Sequence, residues 1–297
     1  KATVANAKRL IDDDQVFAMV SGLTAGAEDA VATLTQEKEV PFVGPSTLLP
    51  QRGLPMNRYI FYLLPGLKEQ AHALTRFAAK RTDPTKSRAV ILSPDLEFNR
   101  SIFANAVTTK YYSRDQFAAA QFVSELKQKG IDTVFFAGSG VEAAALLKAA
   151  EAADWNASFY MLGSLVGRNV ADSFSAKMKD RVFLAFPTVP ADVSASGAAE
   201  YTALLQRNKI DGTHAAAQAS AMAAARILVH ALELCGKDLS RERLVTALEG
   251  LYEYDTGLMP KITFGPNRRV GALGAYVVTI DPVKKLFPAS VEWIAVE

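Results

Sequence analysis

The sequence predicts an α/β chain built on parallel sheets. Three observations carry this. Short apolar runs alternate with longer stretches whose apolar residues recur at helical spacing. Most short runs are apolar on both faces, as strands covered by helices on each side must be. Many of them end in small or hydroxyl-bearing residues, where the carboxyl ends of parallel strands carry ligand-binding loops.

The elements follow in order. TVANAKRLIDDD reads as a helix and VFAMV (16–20) as a strand; AEDAVATLTQEK is helical and VPFV (40–43) the next strand. RYIFYLL (58–64) is a strand, EQAHALTRFAAKR a helix, RAVILS (88–93) a strand and FNRSIFANAV a helix. FAAAQFVSELKQKG is a helix followed by the strand IDTVFFAG (131–138); VEAAALLKAAEAA is a helix followed by SFYMLG (158–163) and, after a short helix, RVFLAF (181–186). A helical region from about Gly197 to Leu251 breaks near Gly212 and Gly236-Lys237. KITF, GAYVVTI and VEWIAV close the chain as short strands.

The totals set bounds. At 297 residues the chain is long enough for two ordinary domains, and 49% hydrophobic with 22% charged is a globular composition. The net charge is +2 with Lys and Arg scattered, so no basic face argues for nucleic acid. No apolar run approaches the roughly 20 residues that span a bilayer, and no signal peptide is present. A mature exported protein and a cytoplasmic one would both look like this. Cys235 is the only cysteine and falls late on an apolar helical pattern, as a small buried hydrophobe. His72, His214 and His230 are far apart without metal-ligand spacing, so they read as structural or surface residues, and no cofactor or metal is expected.

The strand ends hold the candidate site. They are Ser21-Gly22-Leu23-Thr24-Ala25-Gly26, Gly44-Pro45-Ser46-Thr47, Ser93-Pro94-Asp95, Gly138-Ser139-Gly140 and Gly163-Ser164-Leu165-Val166-Gly167. Small residues admit a ligand close to backbone N–H groups, and hydroxyls both donate and accept. Enzyme chemistry is poorly supplied. Asp95 is the only carboxylate at a strand end, and with Glu97 it reads as a helix cap and a first-turn acid rather than an acid/base pair. There is no GxSxG elbow, phosphate-binding loop or Cys/His pairing. GSG at 138–140 lacks the third glycine of a dinucleotide fingerprint, since Val141, Glu142 and Ala143 follow. Asp12-Asp13-Asp14 is a solvated helix end with the wrong spacing for a calcium loop. These loops are equipped to hold a molecule rather than to transform it.

AKRLIDDDQVFAMVSGLTAGAEDAVATLTQEKEVPFVGPST resembles the type I periplasmic solute-binding proteins, specifically the branched-chain amino-acid-binding (leucine/isoleucine/valine-binding protein-like) group that serves ABC importers. RYIFYLLPGLKEQAHAL, DLEFNRSI, VFFAGSGVEAAALLKAAEAA and the tail AMAAARILVHALELCGKDLSRERLVTALEGLYEYDTGLMPKITFGPN are similar to later pieces of that family, in its order. The resemblance implies two doubly wound parallel-sheet lobes joined by three crossovers, closing like a hinge on a small molecule in the cleft. The crossovers are expected near Leu64-Pro65, Pro187 and Tyr276-Thr279, with residues 1–65 and 189–276 in lobe 1 and 66–188 and 277–297 in lobe 2. The family opens with a strand, a helix and a second strand before the piece that starts at Lys1, and VTTKYYSRDQF is shorter than its counterpart. Segments beyond those present are therefore expected.

In amino-acid-binding members a serine, a threonine and a second-lobe acid hold the ligand's carboxylate and ammonium. By register these positions are Ala25, Leu48 and Leu165, all of which lack the polar group. Thr24, Ser46 and Thr47 lie beside them and can bind a carboxylate with backbone help. A one-residue shift of register would put Thr24 or Thr47 in those roles instead. A buried ammonium without its counter-charge costs several kcal/mol, so a carboxylate with an apolar or aromatic body is expected rather than an α-amino acid. Phe98, at an aromatic position of the family, is expected to pack on it. With Leu23, Leu64, Asp95, Gly138, Ser139 and Ser164 these make up the expected ligand-binding set. The implied protein is a monomeric, non-enzymatic, periplasmic or otherwise extracytoplasmic component with an ABC permease as partner. A receptor or regulator with the same fold, or an enzyme using Asp95, are the other classes.

Overall fold

The computed structural model describes residues 2–53, 55–83, 85–104, 108–284 and 286–296. In chain order the principal elements begin with α1 (Ala2–Lys8), β1 (Met19–Val20), α2 (Glu28–Glu37), β2 (Phe42–Val43) and β3 (Ile60–Phe61). Next come α3 (Leu67–Arg81), β4 (Ala89–Pro94), α4 (Glu97–Ile102), β5 (Thr109–Tyr112), α5 (Ala119–Gln128), β6 (Thr133–Phe136), α6 (Gly140–Ala152), β7 (Ser158–Leu162), α7 (Gly163–Val166) and β8 (Val182–Phe186). Last are α8 (Ala195–Asn208), α9 (Ala215–Cys235), α10 (Arg241–Glu249), β9 (Gly274–Asp281) and β10 (Leu286–Ala295). Two compact units divide the chain. Unit 1 is Lys1–Gly66 with Thr188–Leu273, and unit 2 is Leu67–Pro187 with Gly274–Glu297. The third passage between units thus precedes β9, whereas the sequence reading put it at 276–279, inside that strand.

In unit 1, β1, β2 and β3 form a parallel sheet in that order. Alternation along the strands decides the faces. Phe42, Ile60 and Tyr62 enter one cluster with Val31, Leu34 and Ile11, while Val43, Phe61 and Leu63 enter another with Ile227, Leu248 and Phe264. Helix α9 buries Ala223, Ala224, Ile227, Ala231 and Cys235, spaced for one face. The Cys235 thiol donates to the Ala231 carbonyl at 3.1 Å, and burial raises its pKa. Gly44 admits α9. Its φ is +71°, and a Cβ there would meet the Ala224 Cβ at 2.4 Å. Arg269 crosses this core with its side chain 1% exposed. It donates to the Glu249 carboxylate at 2.5 Å and to the Asn57 carbonyl at 3.2 Å, and lies 4.6 Å over the Phe61 ring.

Unit 2 holds a seven-stranded sheet in the order β10-β9-β8-β7-β6-β4-β5. The five strands β4 to β8 run parallel, and β9 and β10 are antiparallel additions. Phe135, Tyr160 and Phe183 are in register on β6, β7 and β8. Their rings stack at 5.1 and 5.0 Å, and the Arg81 guanidinium lies 4.8 Å over Phe183. Each such pair adds about 0.5–1.5 kcal/mol to its burial.

Several expected elements differ. VFAMV shortens to Met19–Val20, because the Val16 and Phe17 carbonyls accept from the Arg241 guanidinium at 2.8 and 3.1 Å rather than from a neighbouring strand. RYIFYLL shortens to Ile60–Phe61. Beyond it, Tyr62 pairs with the 269–271 segment. KITF makes no strand; Ile262 only exchanges hydrogen bonds with Tyr254. β5 was not foreseen. The helix FNRSIFANAV spans Glu97–Ile102, and its residues 105–107 lie outside those described. The segment Gly212–Cys235 is long and apolar enough to cross a membrane by length and composition, contrary to the expectation that no run approaches that length. Nine alanines in α9 make the difference, counting as apolar without forming a continuous run of large side chains.

Candidate functional site

Unit 1 brings together the loops after β1 and β2. They continue the sheet: Leu23 bridges Ser46 in parallel, the Thr24 amide donates to the Ser46 carbonyl at 3.0 Å, and the Ser46 amide donates to Gly22 at 2.7 Å. Six expected residues, Leu23, Thr24, Ala25, Ser46, Thr47 and Leu48, are therefore brought side by side. Their hydroxyls are not equivalent. Thr24 is 3% exposed and donates to the Ser46 carbonyl at 3.3 Å. Thr47 donates to Glu28 Oε1 at 2.6 Å and accepts from the Leu49 amide at 2.9 Å. Ser46 is the exposed hydroxyl of the three. Leu23 and Leu48 are 68% and 39% exposed, and Ala25 is exposed beside them. Leu64 stands apart, half-buried against the α9 core.

Sequence reasoning missed Glu28 here. It reads as a first-turn acid of α2, which suits the helix dipole, and nothing in its spacing signals the bond to Thr47. It missed Tyr62 too. The buried phenol has no completed hydrogen bond, though the Gln51 backbone approaches it, and burial with the nearby Glu28 and Asp29 charges pushes its pKa up to about 12.

In unit 2 the expected residues follow three adjacent strands: Asp95 and Phe98 after β4, Gly138 and Ser139 after β6, Ser164 and Leu165 after β7. The chain leaves β4 toward β5 on one side and leaves β6 toward β7 on the other, so the β4–β6 boundary is a topological switch point. Open α/β sheets bind ligands in the crevice beyond such a point. Gly138 is forced by its neighbours, since a Cβ would come within 2.4 Å of both the Phe136 ring and the Tyr112 hydroxyl. Ser139 caps α6: its amide and hydroxyl both donate to Glu142 Oε2 at 2.7 Å, completing a capping box. Burial and the Glu142 charge raise the Tyr112 pKa. The Ser164 amide donates to the buried Gln70 side chain at 3.3 Å, and Leu165 is half-buried.

Asp95 does not cap α4. The cap position is Leu96, without a side-chain bond. Asp95 instead accepts from Arg100 Nε at 2.6 Å and Nη2 at 2.8 Å, which lowers its pKa. A charge-assisted bidentate pair outcompetes a single cap bond. Glu97 keeps its expected first-turn place. Among the described residues no group of three or more His, Cys, Asp or Glu side chains could hold a metal ion.

Comparison with known proteins places this geometry in a family. No curated protein matches the chain. Solved structures do. A possible leucine/isoleucine/valine-binding protein from Rhodopirellula baltica SH 1 is 18% identical with a TM-score of 0.67, over 99% of this chain and 81% of that one. A branched-chain amino-acid ABC transporter protein from Thermus thermophilus with bound valine is 17% identical, TM-score 0.69, over 98% and 81%. A fatty acid ABC transporter substrate-binding protein from Thermomonospora curvata is 15% identical, TM-score 0.69, over 98% and 77%. At these identities the likeness is one of fold. The family model described as periplasmic binding protein matches residues 1–285, and the chain belongs to that family.

Proposed function

We propose that this chain is an extracytoplasmic solute-binding protein that captures a small carboxylate with an apolar or aromatic body and delivers it to an ABC importer. It acts as a monomer, without catalysis, and its partner is a membrane permease. The observation that carries the reading is the surface of Leu23, Ala25 and Leu48 around Ser46. Two exposed leucines there favour an apolar ligand body, and one exposed hydroxyl suits a carboxylate oxygen.

A second reading, a branched-chain amino acid, has one observation in its favour. Glu28 brings a half-buried carboxylate to the same loops, although one of its oxygens is taken by Thr47. A thermal-shift screen on refolded, ligand-stripped protein separates the two. A ligand at 100 times its dissociation constant adds about 2.7 kcal/mol of stability. The expected result is a shift with aliphatic or aromatic carboxylates and none with leucine or valine. A shift with those amino acids alone selects the second reading.

A further inference from the structure

Unit 2 holds a cavity of about 360 Å³ beside the last turn of α3. Phe77 and Arg81 of α3 line it, with Asp180 just before β8 and residues of β8, β9 and β10. All of these belong to unit 2. We propose that this cavity is a site for inorganic phosphate, with Arg81, Thr279 and Ser290 as donors and Asp180 as acceptor. The site is separate from the carboxylate surface of unit 1 and does not rest on that reading.

Sheet register sets the donors in a row. Phe183 of β8 pairs with Thr279 of β9, and Thr279 pairs with Ser290 of β10, so the three side chains share one face. The Arg81 guanidinium lies 4.8 Å over the Phe183 ring and 5.5 Å from the Phe77 ring, and these two rings hold it in place. It also reaches toward the Tyr160 hydroxyl, whose pKa burial raises and the guanidinium lowers. Arg81 meets no carboxylate among the described residues, so most of its five N–H donors are left for a ligand. A planar fork of this kind suits two-point bonding to an oxyanion. The Thr279 and Ser290 hydroxyls share a hydrogen bond of 2.6 Å. One of them donates in it, and the other keeps its proton for a ligand oxygen.

Two carboxylates line the same cavity and decide which oxyanion fits. Glu292 is neutralised by Lys80 at 3.0 Å. Asp180 has no cation of its own among the described residues. Phosphate at neutral pH keeps a proton, so its hydroxyl can donate to Asp180 while its charged oxygens face Arg81. Sulfate has no such proton and sets like charges against each other.

The test titrates the full chain with sodium phosphate and with sodium sulfate, by calorimetry at neutral pH and constant ionic strength. Wild type is expected to bind phosphate and to bind sulfate about tenfold more weakly or worse. Phenyl phosphate, a monoester that loses its second proton near about pH 6, should behave like sulfate. Arg81→Met keeps an apolar stem on the two rings but loses the fork, and should weaken phosphate binding about tenfold or more. Asp180→Asn should bring sulfate close to phosphate. Circular dichroism checks that each variant is folded. Octanoate, titrated alongside, should bind wild type and Arg81→Met alike, so the carboxylate reading stands or falls on its own. If wild type binds no phosphate, or if phosphate binding survives Arg81→Met, the site is overturned. If wild type binds phosphate and sulfate equally, the assignment of Asp180 is overturned.

Discussion

Unit 1 is ordered around a sheet of three strands of two residues each, whereas unit 2 carries seven strands of four to ten residues. The two solve the same problem differently. Unit 2 gains its order from a long hydrogen-bonded ladder and a stack of rings running across it. In unit 1 the sheet supplies little, and order comes from helix packing and from Arg269, a buried cation that joins Glu249, Asn57 and Phe61. A short sheet can thus be held in register by one multiply bonded side chain, at the cost that its loss is not shared among neighbours.

This contrast can be tested because both tryptophans, Trp155 and Trp293, lie in unit 2. Their fluorescence reports that unit alone, while far-UV circular dichroism reports both. The largest effect is expected from Phe183→Ala. It removes a side chain 1% exposed that stacks on Tyr160 and packs against Phe77, and it should cost about 4 kcal/mol in the fluorescence-detected transition. Next is Arg269→Met, which leaves the half-buried Glu249 without its partner and should cost about 3 kcal/mol. Its loss is expected in the dichroism transition while the fluorescence transition stays in place. Coincident shifts would show that the units unfold as one and would erase the distinction. Ser139→Ala should cost about 1 kcal/mol in unit 2, through loss of the α6 capping box.

The smallest effect is a pH dependence. Lys110 and Lys129 hydrogen-bond the Glu125 carboxylate and lower its pKa from 4.5 to about 2. A group depressed in the folded state stabilises fully above its unfolded value and loses that contribution as pH falls through its folded value. The fluorescence-detected Tm should therefore fall more steeply between pH 4.5 and 2 in wild type than in Glu125→Gln. Equal slopes would mean that the two lysine contacts of Glu125 contribute nothing measurable.

Much of the fold was legible because buried parallel strands leave continuous apolar runs, as in RAVILS, SFYMLG and RVFLAF. The misses have local causes. TKYY (109–112) escaped notice because its burial is partial and its first two residues are polar. VFAMV read long because nothing in it announces that Arg241, more than 200 residues later, will take its first carbonyls. At the candidate site the loops were legible and the commitments were not. Thr47, Ser139 and Asp95 read alike as polar groups at strand ends. Only their neighbours reveal that one is tied to Glu28, one to its own helix and one to Arg100.

Cys235 gives the chain a practical property. Its thiol is buried, bonded to a carbonyl and raised in pKa, so the thiolate that alkylating dyes need is scarce in the folded protein. A second cysteine placed at exposed Leu23 or Ser46 would be the one that a maleimide fluorophore reaches, with no need to remove the first. The native chain is thus already a background for a site-attached optical reporter of solute capture, and slow labelling of Cys235 would time the opening of α9.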